Sequence, residues 1–360
     1  MRQLTCQLVG YPDYYSEHGA FSMDNWYSDD VLVRNGEKQR IIDFMEKEFD
    51  LDMPKGPNRY LQVSPYTSIQ IFLKLLGAEM TYDQKNFADT GFTPLKDVEE
   101  TEQLDEFEEI FKNNACKWME TLKADVAKIP QGRDELPLVI REMDRITDMF
   151  MVHCPLTIGY KLFGENLLFM QYDDPDLAVD CFNRIGDWSL WLRDLICKTF
   201  NRPEPERVLL SSCSACFVQP EYYRDVLVPV LQRIHAGKKM FFHSCGTINR
   251  HLDAFRALHE TNEFLKLDCR ESSKADIHAI SQKFPGVEIS YMLSPALCQI
   301  RDGEEVRKTV RNAVEITGDN PLHLIMMMPE KTKPEVGHAF LEEASRLGFD
   351  VYPSGDFRFV

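Results

Sequence analysis

His243 and Cys245 are one residue apart, in the stretch KKMFFHSCGTINRHLDAF, where a short apolar run gives way to a helix-like pattern. An imidazole nitrogen and a thiolate sulfur are both ligands that zinc accepts. With a single residue between them, both side chains can turn toward the same point. The pair therefore predicts a zinc site, and the alternative that the motif alone leaves open is a core histidine beside an inert thiol.

A catalytic zinc needs a third protein ligand and an open position for substrate. Cys213 and Cys216 form a C-x-x-C motif directly after the preceding apolar run, RVLLSS, so a sulfur from either cysteine can complete the site. A redox role is the rival interpretation of C-x-x-C, but such a motif normally opens a helix. Here the helix-like pattern begins four residues later, at Pro220, which favours the metal site.

Asp268 ends the next apolar run, EFLKLD. A carboxylate there can act in catalysis, bind substrate, or hold the ring of His243 as an outer partner of the metal site. Capping a helix is the alternative. His153 and His323 lie inside apolar runs and are interpreted as core histidines. Met326, Met327 and Met328 indicate a buried strand, and they could also face an apolar substrate or cofactor.

These residues need a scaffold that brings successive strand ends together. Short apolar runs alternate with helix-like stretches from about residue 149 onward, which is typical of a parallel sheet. The predicted strands are LGAEMTYD (76–83), MFMVHCP (149–155), RVLLSS (207–212), KMFFHS (239–244), EFLKLD (263–268), VEISYML (287–293), LHLIMMM (322–328) and FDVYP (349–353). No glycine-rich phosphate fingerprint follows any of them, so a closed (β/α)8 TIM barrel is favoured over a doubly wound sheet. In such barrels the functional groups lie at the carboxyl ends of the strands.

Charge and cysteine usage narrow the partners and the location. The chain of 360 residues has a formal net charge of −17, so a nucleic acid partner is not expected. No stretch approaches the roughly 20 apolar residues of a membrane helix. The ten cysteines are scattered without a disulfide framework, and no signal peptide is evident. We expect a cytoplasmic protein with reduced thiols and no membrane partner.

Several stretches, in order, resemble the uroporphyrinogen decarboxylase superfamily. They are LLGAEMTYD, CPLTIGYKLFGE, PEYYRDVLVPVLQRI, FFHSCG, LKLD and MLSPALCQIRDGEEVRKTVRNAVE. The resemblance implies a (β/α)8 barrel over residues 61–360, preceded by an N-terminal helical extension over residues 1–60. The decarboxylase branch carries an R-Q-A-G-R-like segment for its tetrapyrrole carboxylates, and this chain lacks one. The cobamide-dependent methyltransferase branch carries H-x-C after a barrel strand, which His243 and Cys245 match.

This branch implies an enzyme that moves a methyl group between a small methylated substrate or a thiol and the corrinoid of a partner protein, with zinc as the Lewis acid. Its third zinc ligand is a cysteine after the last strand, where this chain has IMMMPEKTKP. We predict Cys213 as the replacement, leaving Cys216, Cys269, Cys298 and Glu330 as alternatives. Tyr160, which lies near the place of a tyrosine in the decarboxylases, is a predicted substrate-binding residue together with Asp268. A tetrapyrrole decarboxylase and a non-catalytic corrinoid- or metal-binding protein remain the other functions.

Overall fold

A computed structural model describes residues 2–51, 64, 66, 68–83, 89, 95, 103–129 and 153–351 of the chain. Seven strands in this part form one sheet in the order β2-β3-β4-β5-β6-β1-β7. They are β1 (Leu4–Gly10), β2 (Arg207–Ser211), β3 (Lys239–His243), β4 (Phe264–Arg270), β5 (Glu288–Met292), β6 (Leu322–Met328) and β7 (Asp350–Val351). All neighbouring strands pair in parallel.

Helices connect the strands and cover the sheet. They are α1 (Pro12–Glu17), α2 (Met23–Trp26), α3 (Val31–Phe49), α4 (Ser68–Leu75), α5 (Gln103–Lys128), α6 (Pro155–Phe163), α7 (Asn166–Asp173), α8 (Pro175–Thr199), α9 (Pro220–Tyr222), α10 (Val228–Ile234), α11 (Leu252–His259), α12 (Ile277–Lys283), α13 (Pro295–Cys298), α14 (Gly303–Thr317) and α15 (Pro334–Arg346). A π-helical turn, Tyr223–Leu227, joins α9 to α10. None of these described helices is long and apolar enough to cross a membrane.

The predicted alternation of strands and helices is confirmed from β2 onward, where every predicted strand is present. The seven strands form an open run in the described part of the chain, so closure into a barrel stays a prediction. His153 forms an isolated parallel bridge with Ser211, which continues the pairing beyond β2. The remainder of that predicted strand, residues 149–152, and the predicted domain boundary at residues 60 and 61 lie outside the described residues.

Two local predictions were wrong. The N-terminal segment contains β1, which lies between β6 and β7, and is therefore not only helical. This strand is hard to recognise in the sequence because two of its buried residues, Thr5 and Gln7, are polar. Thr5 Oγ1 lies 2.8 Å from His323 Nδ1. The stretch 76–83 is not a strand: α4 ends at Leu75, and Thr81 makes only an isolated antiparallel bridge with Asp89.

The two faces of the sheet differ in chemistry. One face packs against helices in the main hydrophobic core, to which Leu8, Leu210, Phe242, Leu267 and Leu324 belong. The opposite face carries a row of polar side chains at a single level, because side chains alternate between faces along each strand. The pairing places Ser211, His243, Asp268, Ser290, His323 and Thr5 in this row, in that order across six strands.

We predict that β1 is integral to the fold. Leu8→Ala removes a fully buried side chain from the core and should lower the free energy of unfolding by about 2–5 kcal/mol. Leu32→Ala, at a half-exposed position on α3, is the matched control and should change it by less than about 0.5 kcal/mol. Urea unfolding followed by circular dichroism measures both. Equal, small effects would mean that the N-terminal strand is not part of the cooperative fold.

Candidate metal centre

Cys213, His243 and Cys245 come together at the carboxyl ends of β2 and β3. Their ligand atoms all lie within 4.8 Å of one another. The Sγ atoms of Cys213 and Cys245 are 3.1 Å apart, and His243 Nε2 is 3.0 Å from Cys245 Sγ. His243 is buried and the two cysteines are half-buried. The described part of the chain contains this one cluster with the composition of a metal site.

Backbone pairing explains why the two cysteines meet. Ser211 on β2 pairs with His243 on β3, and each cysteine follows its paired residue by two positions. The Ser212 amide donates to the His243 carbonyl at 2.8 Å, which holds the two strand ends side by side. Cys213 then opens a short 3-10 turn, Cys213–Phe217. Gly246 allows close packing against this turn, because a Cβ there would lie 2.7 Å from Cys216 Sγ and 3.2 Å from the Cys213 carbonyl oxygen.

Asp268 lies on the other side of His243. The two residues pair across β3 and β4, and His243 Nδ1 lies 3.5 Å from Asp268 Oδ2. This separation is too long for a strong hydrogen bond, so the attraction is mainly electrostatic. The carboxylate faces Nδ1 and leaves Nε2 directed toward Cys245. A metal-bound histidine commonly needs such a partner to fix its ring, and this is the outer role considered for Asp268 in the sequence.

The charges around the cluster favour the cationic form of the His243 imidazole and the anionic forms of Asp268 and Cys213. Burial lowers the pKa of His243, but Asp268 and Cys213 together raise it above its ordinary value. Burial raises the pKa of Asp268, whereas the charge of Lys266, 3.8 Å away, and the contact with His243 bring it well below its usual range. The hydrogen bond between the two thiols lowers the pKa of Cys213 and raises that of Cys245.

The other candidates for the third ligand point elsewhere. Cys216 Sγ lies 3.6 Å from the Cys213 carbonyl oxygen. Cys269 and Cys298 are buried in the main hydrophobic core, and burial raises the pKa of the Cys298 thiol to about 12. Glu330 lies in the turn after β6, where its carbonyl accepts a hydrogen bond from Gln299 at 2.9 Å. None of these four residues belongs to the described cluster.

Tyr160 lies on α6, outside the cluster. Its ring is 5.0 Å from that of Phe217, the last residue of the 3-10 turn that begins with Cys213. The same helix contacts the turn through Thr157 Oγ1, which accepts a hydrogen bond from the Ser214 amide at 3.2 Å. Tyr160 therefore belongs to the support of the turn that carries Cys213, and its binding of substrate stays a prediction.

A small apolar cluster on the face that carries the polar row was not predicted as a unit. Val9, Met292 and Met327 form it, with Tyr11 and Ile325 packed against it. Met326 and Met328 belong instead to the main core, so the three consecutive methionines divide between the two faces of β6. Only Met327 lies on the face that carries the polar row. Contact with an apolar substrate or cofactor therefore stays a prediction for Met327 alone. The strand alternation of the sequence could have indicated this division.

Arg270 was also missed as a site residue. It is two positions beyond Asp268 on β4 and therefore shares its face, and it pairs with Met292 of the apolar cluster. Burial raises the pKa of Tyr11, the positive charge of Arg270 opposes that change, and Cys245 adds to it. Arg270 likewise acts to lower the pKa of Cys245. The charge of Arg270 therefore acts on both Tyr11 and Cys245.

The donor set fits zinc. Two thiols and one imidazole are ligands that a catalytic zinc site uses, and three protein ligands leave one position open. Two sulfurs bound to a tetrahedral zinc lie about 3.8 Å apart, given Zn–S bonds of about 2.3 Å. The observed separation of 3.1 Å requires only a small opening of the two side chains.

Comparison with known proteins identifies a related fold. The chain matches no protein-family profile and no curated protein sequence. Its structure is similar to that of a methyltransferase from Methanosarcina mazei, with a TM-score of 0.59 over 96% of this chain and 94% of that chain. The two sequences are 12% identical, so the likeness shows a common fold.

We predict that Asp268 supports metal binding through His243. Asp268→Asn removes the negative charge beside Nδ1 and keeps the shape, so zinc affinity should fall about 10- to 100-fold. Asp253→Asn, at an exposed carboxylate on α11, is the matched control and should leave affinity unchanged. Competition with a chromophoric zinc chelator measures both values. Equal affinities in the two variants would assign Asp268 no part in metal binding.

Proposed function

We propose that the protein is a methyltransferase that moves a methyl group between a small methylated substrate or a thiol and the corrinoid of a partner protein. The observation that carries this proposal is the Cys213, His243 and Cys245 cluster at the ends of β2 and β3. The fold shared with a methyltransferase over nearly the whole chain is consistent with it. The proposal includes the closed (β/α)8 barrel and the cobamide-dependent branch of the uroporphyrinogen decarboxylase superfamily.

The metal of this site would be zinc, held by the two thiolates and by Nε2 of the imidazole. When bound, zinc supplies a Lewis acid that favours the thiolate form of a thiol or polarises a methylated heteroatom. The protein must present its own ligands without protons. Asp268 contributes by facing Nδ1 of His243, which keeps a proton on that nitrogen and leaves Nε2 available.

The surroundings of the cluster can position a small substrate. Val9, Met292 and Met327 provide an apolar surface, and thioether side chains adapt to irregular shapes. Tyr11 packs against this apolar surface, and the charge of Arg270 acts on Cys245. The methyl-bearing atom would lie against the thiols and the rest of the molecule against the apolar surface. Such fixed orientation is a large part of what a protein contributes to a group transfer.

The corrinoid protein would approach from the carboxyl ends of the strands, where the cluster lies. Cobalt carries the bond-making chemistry in such reactions, and the protein supplies orientation and electrostatics. This edge is where groups from several strands converge in parallel α/β folds. The half-buried state of both cysteines keeps them within reach from that side.

Two other functions compete with this proposal. A tetrapyrrole decarboxylase would need cationic side chains for several carboxylates, and the R-Q-A-G-R-like segment is absent from the sequence. A non-catalytic corrinoid- or metal-binding protein would keep the metal site without turnover, since a fold does not fix a function. Metal content and turnover together separate the three.

We expect close to one zinc per chain in protein purified without chelator, and methyl transfer to or from a corrinoid with the zinc-loaded protein. Elemental analysis measures the first. The visible absorption of the corrinoid, mixed with candidate thiols and methylated compounds, measures the second. Zinc without any transfer would favour the non-catalytic function. Turnover of uroporphyrinogen would place the protein in the decarboxylase branch.

We predict that Cys213 is the third ligand. Cys213→Ala should deplete zinc and abolish methyl transfer, because removing one of three ligands leaves too few donors for tight binding. Cys298→Ala is the matched control: it should keep both properties and cost about 1–2 kcal/mol of stability through lost packing. Zinc content of both variants, with circular dichroism to verify folding, decides the point. Zinc retained in Cys213→Ala but lost in Cys298→Ala would move the ligand to Cys298.

A further inference from the structure

The two thiols of the metal centre are also placed for a second reaction. Their sulfurs are 3.1 Å apart, on residues that follow the paired Ser211 and His243 by two positions each. An S–S bond is about 2.05 Å long, so the two sulfurs need to approach by only about 1 Å. Cys213 and Cys245 can therefore be joined with little movement of the backbone.

The C-x-x-C motif suggests a different pair, Cys213 and Cys216, but the contacts do not favour it. Cys216 Sγ is directed at the carbonyl oxygen of Cys213, 3.6 Å away, and not at its sulfur. The same sulfur packs against Gly246, where a Cβ would lie 2.7 Å from it. Cys213 thus faces the neighbouring strand end, and Cys216 faces the backbone of its own turn.

The remaining described cysteines are poorly placed to compete. Cys213 and Cys245 are both half-exposed, whereas six other cysteines are buried: Cys6, Cys154, Cys181, Cys197, Cys269 and Cys298. Cys116 is exposed on α5, distant in the chain from the strand ends. Oxidation depends on contact between a thiol and a dissolved oxidant. Access and sulfur separation therefore select the same pair.

We propose that, without metal, Cys213 and Cys245 form a reversible disulfide that switches the metal centre off. With hydrogen peroxide as oxidant, one sulfur attacks a peroxide oxygen, which gives a sulfenic acid and releases water. The second thiol then displaces the hydroxyl group, releasing a second water molecule and closing the S–S bond. Two thiols lose two electrons and two protons in total, and peroxide is reduced to two molecules of water.

Metal and disulfide exclude each other, because zinc binds the two sulfurs as thiolates and a disulfide leaves neither sulfur in that form. The oxidised centre keeps only His243 of its three ligands and cannot hold zinc tightly. A dithiol reductant restores both sulfurs. The regulatory consequence rests on the metal site proposed above, whereas formation of the disulfide does not.

The test uses the full chain, treated with a chelator in one sample and loaded with zinc in the other. Each sample receives a small molar excess of hydrogen peroxide. Thiols are then counted in denaturant, and the peptides are mapped by mass spectrometry without reduction. In the metal-free sample we expect the thiols to fall from ten to eight, with one Cys213–Cys245 cross-linked peptide. The zinc-loaded sample should keep ten, and dithiothreitol should return the oxidised sample to ten with full zinc-binding capacity.

Matched serine variants identify the pair. Cys213→Ser and Cys245→Ser should each abolish the cross-link, while Cys216→Ser should leave it unchanged. A Cys213–Cys216 peptide, or oxidation to sulfinic acid without any cross-link, would overturn the proposal. Equal rates of cross-linking with and without zinc would overturn the switch. Failure of the proposed function would appear in zinc content and methyl transfer, and the peptide map of the metal-free protein is independent of both.

Discussion

The parallel register of β2, β3 and β4 is the constraint on which the metal centre depends. It sets Ser211, His243 and Asp268 at one level of the sheet. Cys213 and Cys245 each follow one of these paired residues by two positions, so the same register brings them side by side. A shift by one residue in either pairing would turn an entire strand over, since the side-chain period is two. The cluster is therefore a consequence of strand pairing, and its precision comes from the core on the opposite face.

That core determines the register through the side chains on the helix-covered face of the same strands. Leu210, Phe242 and Leu267 alternate with the three polar residues and are fully buried against the helices. The rings of Phe242 and Phe264 stack at 4.9 Å, which ties β3 to β4 directly. A slip that moved His243 away from Asp268 would also expose these apolar side chains, at about 1.5–3 kcal/mol for each one. The free energy of the core thus holds the imidazole beside the carboxylate.

Most strands and helices in the second half of the fold were predicted from the sequence, as were the three residues of the cluster, Cys213, His243 and Cys245. Strands β2 to β6 are recognisable in the sequence as apolar runs, because parallel strands that are buried on both faces are rich in apolar residues. A single residue separates His243 and Cys245 in the chain, so their proximity could be predicted without knowledge of the topology. Cys213 required only that successive strands be neighbours, which holds for most strand pairs.

Residues that depend on non-sequential neighbours could not be predicted in the same way. β1 pairs with β6 and β7, more than 300 positions away, and this pairing places Val9 beside Met327. Nothing in a stretch such as LTCQLVG states which strand it joins, and its buried Thr5 and Gln7 weaken the apolar signal. Arg270 was missed for a related reason. Its effect on the charge of Cys245 depends on how close the ends of β3 and β4 lie, which the sequence does not state.

The position of β1 between β6 and β7 bears on why the third member of the described cluster, Cys213, follows β2 and does not come from the turn after β6. Near the end of β6, Met327 lies on the face that carries the polar row, where it packs with Val9 of β1 and with Met292. In the turn that follows, the backbone carbonyl of Glu330 accepts a hydrogen bond from Gln299, and Glu330 is not a member of the described cluster. β2 is adjacent to β3, so a ligand from its end needs no long reach. A metal site at a strand edge needs donors that converge, and any neighbouring strand end can supply one. In this chain Asp268 of β4 faces one side of His243, and Cys213, which follows β2, lies on the other.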